Sequence, residues 1–66
     1  MKNNIRVARA EMRMTQQRLA DEAGVSRQTI NAIESGRFVP STVLALKIAR
    51  IFSRPVEEIF QLDDED

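Results

Sequence analysis

Apolar residues along this chain recur at helical spacing in five blocks. Ile5, Ala8, Arg9 and Met12 fall at i, i+3, i+4 and i+7 and predict a first helix to about Met14, with Asn3 or Asn4 as its cap. Leu19, Ala20 and Ala23 make the stripe of a second helix that Thr15 caps and Gly24 stops. Ser26 caps a third, from Arg27 to about Glu34, whose inward residues are Ile30 and Ile33 and which Ser35 and Gly36 end. Pro40 forces Val39 out of helical geometry, and Ser41 then caps a fourth helix over Thr42 to Phe52. Its spacing makes Val43, Leu46, Ala49 and Phe52 the main stripe, widened by Leu44, Ile48 and Ile51, so it reads as a central helix around which the first three pack. Pro55 suits the first position of a fifth helix of about a turn and a half. The segment IFQL alternates like a strand, for which either MKNN at the N-terminus or another subunit supplies the partner.

The pattern is organised around Gln16 to Ser35, two short helices hinged at a glycine. Ala20 permits close approach, Gly24 takes a positive φ, and Val25, Ile30 and Ile33 seat the second helix on the first. That arrangement leaves Arg27, Gln28, Thr29 and Asn31 on outer faces, with Arg27 and Gln28 at the N-terminal end, the part of a recognition helix that meets base edges. Gln16 and Gln17 occupy the first turn of the preceding helix, where free N–H groups favour a phosphate. Arg9, on an otherwise apolar stripe, needs an anionic partner, and Glu34 is placed where the helix dipole disfavours an acid. The two are expected to form a structural ion pair.

Composition narrows the chemistry. No histidine or cysteine is present, which removes disulfides, metal sites built on those residues and thiol or imidazole catalysis. Serines and aspartates show no base or oxyanion arrangement, so an enzyme is not expected, nor a cofactor or a small-molecule ligand. The net charge of zero is divided: residues 1–54 carry all ten Lys and Arg against four acids, and the last twelve carry six acids and no base. The longest apolar run is broken by Lys47, so no membrane segment is expected and the chain belongs in the cytoplasm, on the nucleoid. At 66 residues it is a single domain near the lower size limit, which a dimer would help to stabilise. Phe38, Val39, Val56, Ile59, Phe60 and Leu62 are the expected dimer face, with 55–62 the dimerisation segment and 63–66 a flexible acidic tail.

TQQRLADEAGVSRQTINAIESGRFVPSTVLALKIARIF resembles the DNA-binding domain of the Xre or Cro/cI-like repressor family, through Gln16, Leu19–Ala20, Gly24–Val25–Ser26, Ile30, Ile33–Glu34, Gly36, Pro40–Ser41, Leu46 and Ile48–Ala49 in order. VSRQTIN, LALKIA and EEIF are most similar to the very small repressors of the cytolysin-operon type. The resemblance implies an all-α, five-helix, lambda-repressor-like fold, with a short two-stranded sheet from the chain ends in its smallest members. It also implies homodimers on double-stranded DNA, with base reading at Arg27 and Gln28 and phosphate contacts at Gln16, Ser35 and Arg37. Asn31 is added as a third base reader, and Gln17 and Thr29 as backbone contacts. Ala32 stands where some phage repressors read a base and cannot hydrogen-bond; Arg54 replaces the usual small cap before the fifth helix. The competing reading is an antitoxin-like module that binds a partner protein as well as or instead of DNA.

Overall fold

The computed structural model describes all 66 residues. The order is β1 (Lys2–Asn3), α1 (Ile5–Glu11), α2 (Gln16–Ala23), α3 (Arg27–Glu34), α4 (Thr42–Ile51), α5 (Val56–Ile59) and β2 (Phe60–Gln61). Three of the helices begin as the sequence predicts: the hydroxyls of Thr15, Ser26 and Ser41 accept from the backbone N–H groups of Arg18, Thr29 and Leu44 at 3.0, 3.1 and 3.1 Å. At α1, Asn4 occupies the cap position, but the Asn3 carboxamide does the capping, accepting from the Ile5 N–H at 3.2 Å. Pro55 lies just before α5 rather than inside it.

The four longer helices share one ending. In each, a residue with positive φ donates its N–H three residues back and the following residue donates five residues back, the double bond of a Schellman motif. Gly24 and Gly36 fill the left-handed position after α2 and α3, whereas Arg13 (φ 53°) and Ser53 (φ 55°) fill it after α1 and α4. The Met14 N–H reaches the Arg9 carbonyl at 2.8 Å, and the Arg54 N–H reaches that of Ala49 at 3.1 Å. The first helix therefore stops short of the expected Met14. This rotates Met12 into solvent and folds Met14 into the core in its place.

Ile5, Leu19, Ile30, Ile33, Ile48 and Ile59 are the largest fully buried side chains. The helix that bridges the others is α2, packed on both α3 and α4, while α4 turns a second face to α5. On α4 the buried residues are Ile48, Ala49 and the C-cap Phe52, with Leu44, Ala45 and Ile51 packed beside them; Val43 and Leu46 point outward, 64% and 52% exposed. The helix is apolar on nearly every side, so spacing alone could not choose between stripes one residue apart.

β1 and β2 pair antiparallel within the one chain, Lys2 opposite Gln61 and Asn3 opposite Phe60. Asn3 Nδ2 donates to the Ile33 carbonyl at 2.9 Å and Asn4 Nδ2 to the Glu58 carbonyl at 3.0 Å, tying this ribbon to α3 and α5. Residues 63–66, expected as a flexible tail, fold into a turn in which Asp63 and Asp66 lie 3.0 and 3.3 Å from the N-terminal ammonium. No helix is long and apolar enough to cross a membrane.

Candidate nucleic-acid interface

The turn at Gly24 (φ 75°) sets α2 and α3 against each other through Leu19, Ala20, Ala23, Ile30 and Ile33, all buried. The opposite face of α3 is thereby given to solvent. Arg27, Gln28, Asn31, Ala32 and Arg37 line one shallow, open concavity along it. Arg27 and Gln28 are exposed on the first turn and have no hydrogen-bonding partner within the protein, leaving guanidinium and carboxamide free for a ligand. Asn31 is held: its Oδ1 accepts from Arg37 Nη2 at 3.0 Å, while Arg37 Nε donates to the Ser35 hydroxyl at 2.9 Å. Ser35 itself donates to the Ala32 carbonyl at 3.1 Å. The Asn31 amide nitrogen thus stays free beside an arginine fixed on the same rim.

Thr29 is half-buried, its hydroxyl 3.0 Å from that of Ser26 within the cap of α3. Gln17 is exposed and donates to Asp21 at 2.9 Å one turn along α2. Gln16 is half-buried and its Nε2 donates to Glu34 Oε2.

Beneath this surface Arg9 meets Glu34. Arg9 Nε and Nη2 donate to Glu34 Oε1 at 3.1 and 2.9 Å, and Nη1 donates to the Met14 carbonyl at 2.9 Å. The Glu34 side chain is 2% exposed and that of Arg9 16%, so the carboxylate is buried but fully paired. The pair joins the C-terminal end of α3 to α1 and to the connection leading into α2, fixing both helices of the interface from behind. It also offsets the unfavourable end of the α3 dipole.

The six residues expected at a dimer face separate into two groups. Ile59 and Phe60 lie in this chain's own core and Val56 packs against it, although Val56 and Phe60 also present an edge to a surface groove. Phe38, Val39 and Leu62 are exposed, at 48%, 58% and 76%. Val39 borders an apolar groove with Pro40, Ala45, Leu46, Val56 and Phe60, and the exposed Val43 was absent from the expected set. No cluster of three acidic residues is placed to hold a metal ion.

The sequence profile described as helix-turn-helix matches residues 5–59, nearly the whole of the folded chain. This chain belongs to the helix-turn-helix family. Two similar helix-turn-helix proteins span its full length. The HTH-type transcriptional regulator YgzD of Bacillus subtilis is 46% identical, and the HTH-type transcriptional regulator MJ0272 of Methanocaldococcus jannaschii is 48% identical, each over 100% of both chains. Among solved structures, the clp gene regulator ClgR of Corynebacterium glutamicum superposes with a TM-score of 0.77 at 26% identity, over 82% of this chain and 57% of that one. The Xre or Cro/cI-like resemblance and the helical fold with its small sheet are shown by these matches. The chain is a DNA-binding helix-turn-helix transcription regulator, not an enzyme.

Proposed function

We propose that the chain is a homodimeric repressor that inserts α3 into the major groove of a roughly palindromic operator. The observation that carries this reading is the convergence of Arg27, Gln28, Asn31 and Arg37 on one open face at the exposed side of α3. Arg27 can bond guanine O6 and N7 together and Gln28 adenine N6 and N7, with Asn31 reading a neighbouring base through its free amide nitrogen. Arg37 and Ser35, and the start of α2 at Gln16 and Gln17, set the register on phosphates, with Thr29 alongside them. Repression follows from occupying a promoter, on the DNA of the cytoplasm.

Successive major grooves on one side of the duplex are about 34 Å apart. The longest dimension of the chain, 31 Å, is close to that spacing, which supports one copy in each groove. The apolar groove lined by Val39 and Leu46, with Phe38, Val43 and Leu62 as further exposed apolar residues, is the face we assign to the second copy. The same surface is the observation that keeps the antitoxin-like reading open, since a partner protein would cover it equally well.

Selecting binding sites from random DNA, followed by sedimentation of the protein alone and on the selected site, tests all of this. The expected result is a two-fold symmetric site with half-sites about one helical turn apart and two chains bound. A selected site without symmetry, bound by one chain, refutes the dimer. A stable complex with a different protein that excludes DNA favours the partner-binding reading.

A further inference from the structure

We infer that Glu34 is a positioning residue for DNA binding, acting through the side chain of Gln16. A carboxylate only accepts hydrogen bonds, so it holds a carboxamide by the nitrogen and never by the oxygen. Gln16 Nε2 donates to Glu34 Oε2, and this removes the freedom of the amide to flip. One N–H is used in the hold; the other has no partner in the protein and stays available at the half-buried first residue of α2. Arg9 makes the arrangement tolerable beside DNA. Its bonds at 2.9 and 3.1 Å neutralise the carboxylate, which would otherwise repel a nearby phosphate. The buried ion pair is thus converted, at the surface, into a neutral donor of fixed direction. The inference rests on the DNA-binding reading above and adds a residue that touches no nucleic acid itself.

A neutral donor to phosphate leaves a signature unlike that of a cation. It contributes to affinity for every sequence, yet releases no counterion and so leaves the salt dependence unchanged. Glu34→Asp keeps a negative charge beside Arg9 but draws the carboxylate back by one methylene from Arg9 and Gln16 alike, so the part that acts through Gln16 is the part that disappears in a Gln16→Met background. It should weaken binding to selected and random DNA alike by roughly threefold to tenfold, the worth of one hydrogen bond, with the salt slope unmoved. In a Gln16→Met background the same substitution should change affinity by less than about twofold, because the group it acts through is gone. Affinities are compared at equal folded fraction, set by thermal unfolding.

Nuclear magnetic resonance supplies a readout that needs no DNA. One Gln16 side-chain amide proton should lie downfield in the unmutated protein and return to the ordinary range in Glu34→Asp. If that variant does not fold, Gln16→Met alone, which leaves the Arg9–Glu34 pair intact, should give the same loss of affinity with unchanged slope. Equal losses from Glu34→Asp in both backgrounds, or an unshifted Gln16 proton, overturn the inference. Absence of DNA binding by the unmutated protein, with the proton shifted, overturns the DNA reading and the role of Gln16 in it while leaving the hold between the side chains intact.

Discussion

Replacing Arg13 or Ser53 with glycine should stabilise the domain, although neither change adds a contact. Both residues sit in the left-handed region, at φ 53° and 55°, as the turning position of a helix-ending motif that Gly24 and Gly36 occupy in the other two cases. For a residue with a Cβ that conformation costs about 1–2 kcal/mol. Glycine relieves the cost but gives the unfolded chain more freedom, which returns about 0.4–1 kcal/mol. The net gain is about 0.5–1 kcal/mol at each site, and the two sites end different helices, so the gains should add. The reverse experiment is clean, because a Cβ built on Gly24 or Gly36 meets nothing within 4 Å. Gly24→Ala and Gly36→Ala therefore carry the backbone term alone and should each lose about 0.5–1 kcal/mol. Urea unfolding of the four single variants and of the Arg13→Gly, Ser53→Gly pair measures this, and in a domain of this size 1 kcal/mol moves Tm by about 4–8 °C. Midpoints that fall in both glycine variants, or alanine variants as stable as the parent, would refute the reasoning.

Other expectations follow from burial and charge. Arg9→Met leaves Glu34 buried without a cation and should cost about 3 kcal/mol or more, largely recovered when Glu34 is also made apolar; circular dichroism melts of the single and double variants read this. Ile48→Ala should cost about 2–5 kcal/mol by opening a hole in the core, whereas Leu46→Ala, two positions earlier but exposed, should leave monomer stability nearly unchanged and lower any self-association seen by sedimentation. On DNA, Arg27→Ala should flatten the preference between selected and mismatched sites, while Arg37→Ala should weaken every sequence and reduce the salt slope by about one unit, with loss of preference confined to the base that Asn31 meets. The hydrogen bond from the N-terminal ammonium to Asp63, aided by Asp66, raises the pKa of that ammonium above 8.0. A raised folded-state value means the contribution is complete below about pH 8 and lost as pH climbs through the folded pKa. The Asp66 pKa is lowered from 3.8, first by the Asp63 backbone N–H, so its contribution is present above that value and lost as pH falls through the folded pKa. Protection of the strand amides, taken relative to the intrinsic exchange rate at each pH, should accordingly fall at both extremes.

The helix pair at Gln16–Ser35 could be read from the sequence because each boundary has its own local chemistry: a hydroxyl cap at Thr15 and Ser26, and glycine at the turns. Where the turning residue is not glycine, as at Arg13, the boundary has no local signal, so periodicity alone carries α1 too far and turns Met12 inward. The face of α4 was hidden for the opposite reason, since an apolar residue at nearly every position carries no phase. Ile59 and Phe60, expected at a dimer face, belong to the core because the ribbon that brings them there joins opposite ends of the chain, a pairing that no local pattern reveals. At the interface, the outward placement of Arg27 and Gln28 follows from Ile30 and Ile33 by subtraction. The bonds from Gln16 to Glu34 and from Arg37 to Asn31 link residues that no periodicity connects, and only the packed helices bring them together.

The ribbon of β1 and β2 also constrains the order in which the molecule assembles. The bond from Asn4 to the Glu58 carbonyl closes a loop of 54 residues, and closure of that length costs about 3.5 kcal/mol of chain entropy before any fixed term. Two residues per strand cannot offset this alone, as isolated two-stranded ribbons are marginal even when their turn is short. The ribbon must therefore zip after the helices have brought its strands within reach, making it a late event with low φ-values in the folding transition state. A circularly permuted chain, with residues 61 and 2 joined by a short linker and the new ends opened in the loop at Arg37–Val39, would turn this last contact into a local one. Its folding should accelerate, while the recognition surface on α3 stays within one continuous segment.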